Sequence, residues 1–334
     1  MVGTDGRLPL PWLAAPLAQA VAQPGHALLV VGAPGVGALD FQLTLAQAWL
    51  CEGSVTAGVP CGQCTSCRLV QAHTHPDLKR LLPGALALAR GWASEEEATQ
   101  GGKRKPGKWI PIDDARAAMA WVAMTRSRAQ GKVVLLHPAE ALLPAAANAL
   151  LKALEEPPAG VRWVLSCSDP ERLLPTVRSR CQRLVLPPPS SADAQAWLAG
   201  QGVDAPGALL AACAGRPLDA LALHQAGVDA SAWAALPQAL ARGQAAAWAG
   251  WPLPRAIDAL QKLCHDLLAC ATGAAPRYFP APSLPAPKGG VAPLLDWAAE
   301  LNRVAQAAEH PWNEALLIEA IVSRGRSALA TLKS

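Results

Sequence analysis

Gly32-Ala33-Pro34-Gly35-Val36-Gly37-Ala38-Leu39 is the stretch whose reading decides the fold. An apolar run, Ala27-Leu28-Leu29-Val30-Val31, precedes it, and Phe41 to Leu50 comes after it with helical character. Buried strand, glycine-rich turn and helix are the setting of a Walker A loop, whose glycines let backbone N–H groups curl around phosphate oxygens at a helix N-terminus. A working loop then places Lys on the outer phosphates and Ser or Thr on magnesium. Ala38 and Leu39 stand in those two places, and neither side chain can hold a phosphate charge or a metal. A motif this short also occurs as an ordinary glycine turn.

The second half of the nucleotide chemistry is missing as well. Lys132-Val133-Val134-Leu135-Leu136 reads as another buried strand, at the place where a Walker B strand ends in Asp-Glu, and it ends in His137-Pro138. Imidazole and proline cannot order magnesium and water as paired carboxylates do. A third strand is expected over Arg162-Trp163-Val164-Leu165-Ser166-Cys167, and a helix from about Pro144 to Glu156, stopped by Pro157-Pro158, with Leu150, Leu151 and Leu154 toward the core. A short helix from Glu171 to Val177 delivers Arg178-Ser179-Arg180-Cys181. Strands separated by helices of this length predict a parallel α/β sheet covered on both faces.

Between these elements, residues 91–108 read as a polar loop with Glu95-Glu96-Glu97 and the basic cluster Lys103-Arg104-Lys105-Pro106-Gly107-Lys108. Contact with DNA phosphates is one use for such a cluster; a solvated insertion is the plainer reading. Trp109 to Ile112 resumes an extended run. Asp113 is placed to cap a helix from Asp114 to Arg126 whose inner face carries Met119, Val122 and Ala123. Cys51, Cys61, Cys64 and Cys67 fall within 17 residues, the last three as C-x-x-C-x-x-C. Two-residue gaps aim neighbouring sulfurs at one ion, and four thiolates complete a closed tetrahedral zinc site with a structural role. Iron–sulfur clusters use similar spacing, but no redox fold adjoins this one. His73 and His75 come soon after and are not needed as ligands.

The chain has 334 residues, too many for one small domain, and half are apolar with few aromatics. No apolar run approaches the roughly 20 residues that cross a bilayer. A basic region followed by a long apolar core is missing at the start, so the expected compartment is the cytoplasm, where nine cysteines mean reduced thiols and a metal. The net charge of +4 is uneven: residues 1–187 hold 19 basic and 14 acidic side chains, residues 188–334 hold 10 and 11. That bias permits nucleic-acid contact without demanding it. Pro187-Pro188-Pro189 breaks the chain, three short helices are expected near 190–200, 205–214 and 217–226, and helical stripes continue to the end, including Ile257, Leu260, Cys264 and Leu267.

These residues resemble the bacterial DNA polymerase III clamp-loader family, and within it the delta-prime branch. The resemblance covers nearly the whole chain and rests on Pro11-Trp12-Leu13, His26-Ala27-Leu28-Leu29, the altered loop at 32–39, the four cysteines and His75-Pro76-Asp77. It rests also on Ala147 to Lys152 with Glu155-Glu156-Pro157-Pro158, on Pro170 to Leu174 with Ser179-Arg180-Cys181, and on Asn313 to Ile318. It implies an AAA+ module over 1–187 with a RecA-like α/β sheet, degenerate loop and zinc knuckle, a three-helix lid over 188–228, and a helical collar over 229–334. It implies as partners the gamma/tau ATPase subunits, the delta subunit, the beta sliding clamp and primed DNA bound without regard to sequence, in the bacterial replisome. Ser179-Arg180-Cys181 matches the motif whose arginine reaches a neighbour's ATP; Arg178 is a nearby rival, and Arg180 as a helix-end cap or partner of a surface carboxylate is the alternative. Gly215-Arg216-Pro217-Leu218 lies where active relatives keep an ATP-sensing arginine, with Leu218 in its place and Arg216 one turn away. The resemblance thus implies a non-hydrolysing stator that binds no ATP, carries structural zinc and belongs to a nucleotidyltransferase only through its complex. The rival classes are an active gamma/tau-like ATPase and a zinc-dependent nucleic-acid binder.

Overall fold

The computed structural model describes residues 1–99, 105–286, 290–307 and 312–330. Lys103 and Arg104 of the basic cluster lie outside them. The chain divides into two units, Met1–Pro189 and Ser190–Ser334.

In the first unit a 3-10 turn, Pro11–Leu13, leads into α1 (Ala14–Ala22), then β1 (Ala27–Gly32) and α2 (Ala38–Leu50). A small hairpin, β2 (Val55–Thr56) and β3 (Val59–Pro60), precedes α3 (Thr65–Gln71), β4 (Leu78–Leu81), α4 (Gly84–Ala89), α5 (Glu95–Ala98) and α6 (Ile112–Ala123). β5 (Lys132–Leu136), α7 (Pro144–Glu155), β6 (Val161–Cys167), α8 (Pro175–Arg178) and β7 (Gln182–Leu186) complete it. Strand order is β4-β5-β6-β1-β7, with every neighbouring pair parallel. β1 and β5 are buried along their whole length, which is why their sequences are continuous apolar runs. The order carries the C-terminal ends of β1, β5 and β6 to one edge, where an open α/β sheet presents its loops.

Two strands had no continuous apolar run to announce them. β4 (Leu-Lys-Arg-Leu) and β7 (Gln-Arg-Leu-Val-Leu) form the sheet's edges and are half-exposed, so their apolar residues are diluted by charge. The polar loop of 91–108 is likewise corrected: Glu95–Ala98 forms a helical turn because Ser94 and Glu97 make a reciprocal capping box. Asp113 is not the cap of α6; the helix begins at Ile112 after Pro111, and Asp113 pairs with Arg116 at 3.5 Å. On α6, Ala115, Ala118 and Val122 are buried, whereas Ala123 is exposed. Leu150 and Leu154 of α7 are buried and Leu151 is half-buried.

The second unit is helical: α9 (Ser191–Gly200), α10 (Pro206–Ala212), α11 (Pro217–Gln225), α12 (Ala230–Arg242), α13 (Leu253–Ala271), α14 (Ala292–Gln306) and α15 (Glu314–Ala330). Its buried residues, from Ala194 to Leu329, form one continuous cluster. The proline-rich link after α13 is anchored rather than loose: Asp266, fully buried, accepts N–H bonds from Arg277, Tyr278 and Phe279 at 2.7–2.9 Å. Phe279 stacks on Trp233 at 4.7 Å.

Candidate functional site

Three groups of residues singled out by the sequence lie in the first unit. The glycine loop is the first. Gly37 sits at φ 99°, a left-handed conformation that suits glycine, and a Cβ there would lie 2.4 Å from Leu10 Cδ1. The Pro11–Leu13 turn is thus packed directly on the loop, and Trp12 Nε1 donates to Val36 O at 2.9 Å. Ala38 starts α2, and Leu39 is 3% exposed, turned into the core where a magnesium-binding hydroxyl would be required to face a ligand.

Beyond it, at the end of β5, His137 enters a polar network. Ser166 Oγ donates to Gln42 Oε1 at 3.0 Å, so the His137 Nδ1–H donates to Ser166 Oγ at 2.5 Å. Gln42, fully buried on α2, donates to the carbonyls of Leu136 and Val164. Burial pulls the His137 pKa down to about 4, so the ring is neutral at physiological pH. Gln42 and Ser166 thereby tie α2, β5 and β6 together. Glu140 holds the loop after β6, accepting from Ser168 N, Ser168 Oγ and Asp169 N at 2.6–3.0 Å.

The cysteines form the second group, and all four converge as predicted. Their sulfurs lie within 4.8 Å of one another, with separations of 3.5, 4.0 and 3.9 Å for the 51–61, 51–64 and 61–67 pairs. Zn–S bonds of ~2.3 Å in a tetrahedron require sulfurs about 3.8 Å apart. The cradle therefore fits a zinc ion. The N–H groups of Cys64 and Cys67 already point at the sulfurs of Cys61 and Cys64 at 3.4 Å, where they would stabilise metal-bound thiolates. Burial alone raises the Cys64 thiol, but N–H bonds from Cys67 and Glu52 and the neighbouring sulfurs outweigh it and bring it down to about 6; burial pushes Cys67 well above the ordinary thiol range. Gly62 permits the knuckle, since a Cβ on it would strike Gly3 O at 2.1 Å.

His75 is a brace, not a ligand. Its Nδ1 accepts from Asp77 N–H at 3.0 Å, which leaves Nε2–H to donate to Ser66 Oγ at 2.6 Å. Asp77, fully buried, accepts from the N–H groups of Ser127 and Arg128, and Arg128 forks onto Glu52 at 2.7 and 2.8 Å. His75-Pro76-Asp77 thus couples the cysteine knuckle to the edge of the sheet, a role its spacing alone did not reveal.

Arg180 is the third. It lies just beyond α8, and Nε and Nη2 both reach Glu155 Oε2, at 2.9 and 2.8 Å, while Nη1 donates to Thr176 O at 3.0 Å. Arg180 remains 28% and Glu155 57% exposed. Arg178 is engaged elsewhere and pairs with Glu171 at 2.5 Å. In the second unit Arg216 is held by Asp219 at 2.9 Å and by Cys213 O at 3.0 Å, and Leu218 is half-buried on α11.

A family model described as "DNA polymerase III, delta subunit" matches residues 17–190. DNA polymerase III subunit delta' of Pseudomonas aeruginosa is 40% identical over 215 residues, 62% of this chain and 58% of that protein. The subunit delta' of Escherichia coli K12 is 35% identical over 275 residues, 75% of this chain and 76% of that protein. DNA polymerase III subunit tau of Escherichia coli K12 is 33% identical over 156 residues, 47% of this chain and 20% of that protein. The match thus spans less than two thirds of the length of the Pseudomonas relative.

Proposed function

The chain belongs to the family of DNA polymerase III delta-prime subunits, and on that premise we propose that it is a clamp-loader subunit that hydrolyses no ATP and lends Arg180 to the nucleotide of a neighbouring ATPase subunit. The observation that carries the reading is the pairing of an intact loop backbone with Ala38, a buried Leu39 and a neutral His137 bonded through Nδ1 to Ser166, where lysine, hydroxyl and carboxylates are needed. In this reading the fold of a nucleotide motor is kept while its glycine loop and β5 end lack the lysine, hydroxyl and carboxylates that hold MgATP.

Arg180 suits the second half of the proposal. Guanidinium is permanently charged and its planar fork matches phosphate oxygens. A trans-acting arginine finger accelerates phosphoryl transfer by roughly 10³–10⁵. Arg180 keeps one hydrogen on each terminal nitrogen outside its contacts with Glu155 and Thr176, so a phosphate can be met without breaking those contacts. The Cys51, Cys61, Cys64 and Cys67 cradle would hold structural Zn²⁺, which stabilises the knuckle and leaves no open position for substrate. The partners in this reading are the gamma/tau and delta subunits, the beta clamp and primed DNA, in the bacterial cytoplasm. Residues 1–187 act as the AAA+ module, 188–228 as the lid and 229–334 as the collar that fixes the chain in its ring.

Titrating the purified chain with fluorescently labelled ATP tests the empty pocket: no saturable binding is expected up to millimolar nucleotide. Micromolar affinity with turnover would instead make the chain a motor in its own right.

A further inference from the structure

Glu155 stands at the last residue of α7, where the helix macrodipole is negative and a carboxylate is disfavoured. Glu156 comes next, so two acids crowd one helix C-terminus. Such a breach of a local rule points to a compensating partner, and here it is Arg180, whose guanidinium places a permanent cation at that end of the helix. The pairing is built on rigid ground. α7 is pinned by buried Leu150, Ala153 and Leu154, it is stopped by Pro157-Pro158, and the Leu154 carbonyl is taken up by His26 Nε2 at 2.8 Å.

We propose that Glu155 is a positioning residue for Arg180: it clamps the Nε–Nη2 edge of the guanidinium while the Thr176 carbonyl holds Nη1, leaving one hydrogen on each terminal nitrogen for a neighbour's phosphate. This rests on the arginine-finger reading above. Of the five N–H donors of Arg180, Nε and one on Nη2 go to Glu155 Oε2 and one on Nη1 goes to Thr176 O. One hydrogen on each terminal nitrogen remains. Those two can meet an anion without releasing the clamp, so the arginine approaches the phosphate with its rotamers already selected, and the ordering cost that a free arginine meets at the moment of catalysis is reduced. Arg178, fastened to Glu171, is kept from competing for the same carboxylate.

The test uses the reconstituted clamp loader with steady-state ATPase stimulated by primed DNA and clamp. Four variants of this subunit are compared with wild type: Arg180→Ala, Glu155→Ala, Glu155→Gln, and Arg180→Ala with Glu155→Ala together. Glu155→Ala is expected to lower kcat about threefold to tenfold, the scale of one lost charge-assisted contact, with KM for ATP little changed and ring assembly by gel filtration intact. Glu155→Gln, which keeps an acceptor oxygen, is expected to recover most of the rate. In the Arg180→Ala background the Glu155 change should add nothing, because the pair acts as one unit. The positioning role is overturned if Arg180→Ala slows turnover while Glu155→Ala does not, or if the two losses multiply. Wild-type turnover in Arg180→Ala overturns the finger reading itself, and is distinguishable because the Glu155 variants are then silent as well.

Discussion

At the scale of single residues, His137 sets a pH dependence that can be measured without a partner. Its ordinary pKa of 6.5 falls to about 4 in the folded chain, chiefly through burial. Between those values the unfolded chain binds a proton that the folded chain refuses, so this group's effect on stability is neutral above about pH 6.5 and grows unfavourable as pH drops toward 4. The loss is at most about 3 kcal/mol, from ~1.4 kcal/mol per pKa unit. Urea midpoints of wild type should fall between pH 6.5 and 4 more steeply than those of His137→Asn, which keeps a donor for Ser166 and cannot titrate. Parallel curves would mean that the imidazole charges freely in the fold. At the end of β5 the neutral histidine, Ser166 and Gln42 are linked by hydrogen bonds that join the strand to α2 and β6.

At the scale of elements, the cysteine knuckle is a small structure with little core of its own, and its members α3, β2 and β3 are short. Elements of this size depend on a cross-link or a metal. Elemental analysis of the purified chain should find one zinc per molecule. Chelation should speed hydrogen exchange across residues 51–71 while β5 and β6 keep their protection, because the knuckle meets the sheet from its β4 edge, through Ser66–His75 and Glu52–Arg128, while β5 and β6 lie inside the sheet. Unchanged exchange after complete metal removal would assign the knuckle's order to packing alone. The edge strands obey a related constraint. β4 and β7 pair on one side only, so their sequences carry charge and alternation, and neither reads as a strand until the parallel partner is in view.

At the scale of the whole molecule, the two units differ in how they are held. The first is a sheet layered with helices; the second draws Leu198, Leu209 and Leu223 of its first three helices and Leu260, Leu301 and Ile321 of its later ones into one apolar cluster. No helix among the described residues is long and apolar enough to cross a membrane. Residues 190–334 produced alone should unfold in a single calorimetric transition, since one core spans the sequence on either side of residue 228. Two transitions would instead mark a lid and a collar that are stable separately.

Much of this protein could be read from its residues in order. Continuous apolar runs marked the central strands, two-residue gaps marked the sulfur cradle, and Ala38 and Leu39 marked a glycine loop without the usual lysine and hydroxyl, because each of these signals is local and chemical. Tertiary structure alone decided the remainder. The partners of His75, Asp77, Gln42 and Arg180 lie between 2 and 124 residues away in sequence, and most of those meetings depend on which strands pair. A hydrogen bond needs two groups in register within about 3 Å, and no spacing along the chain can announce that Glu155 and Arg180 will meet.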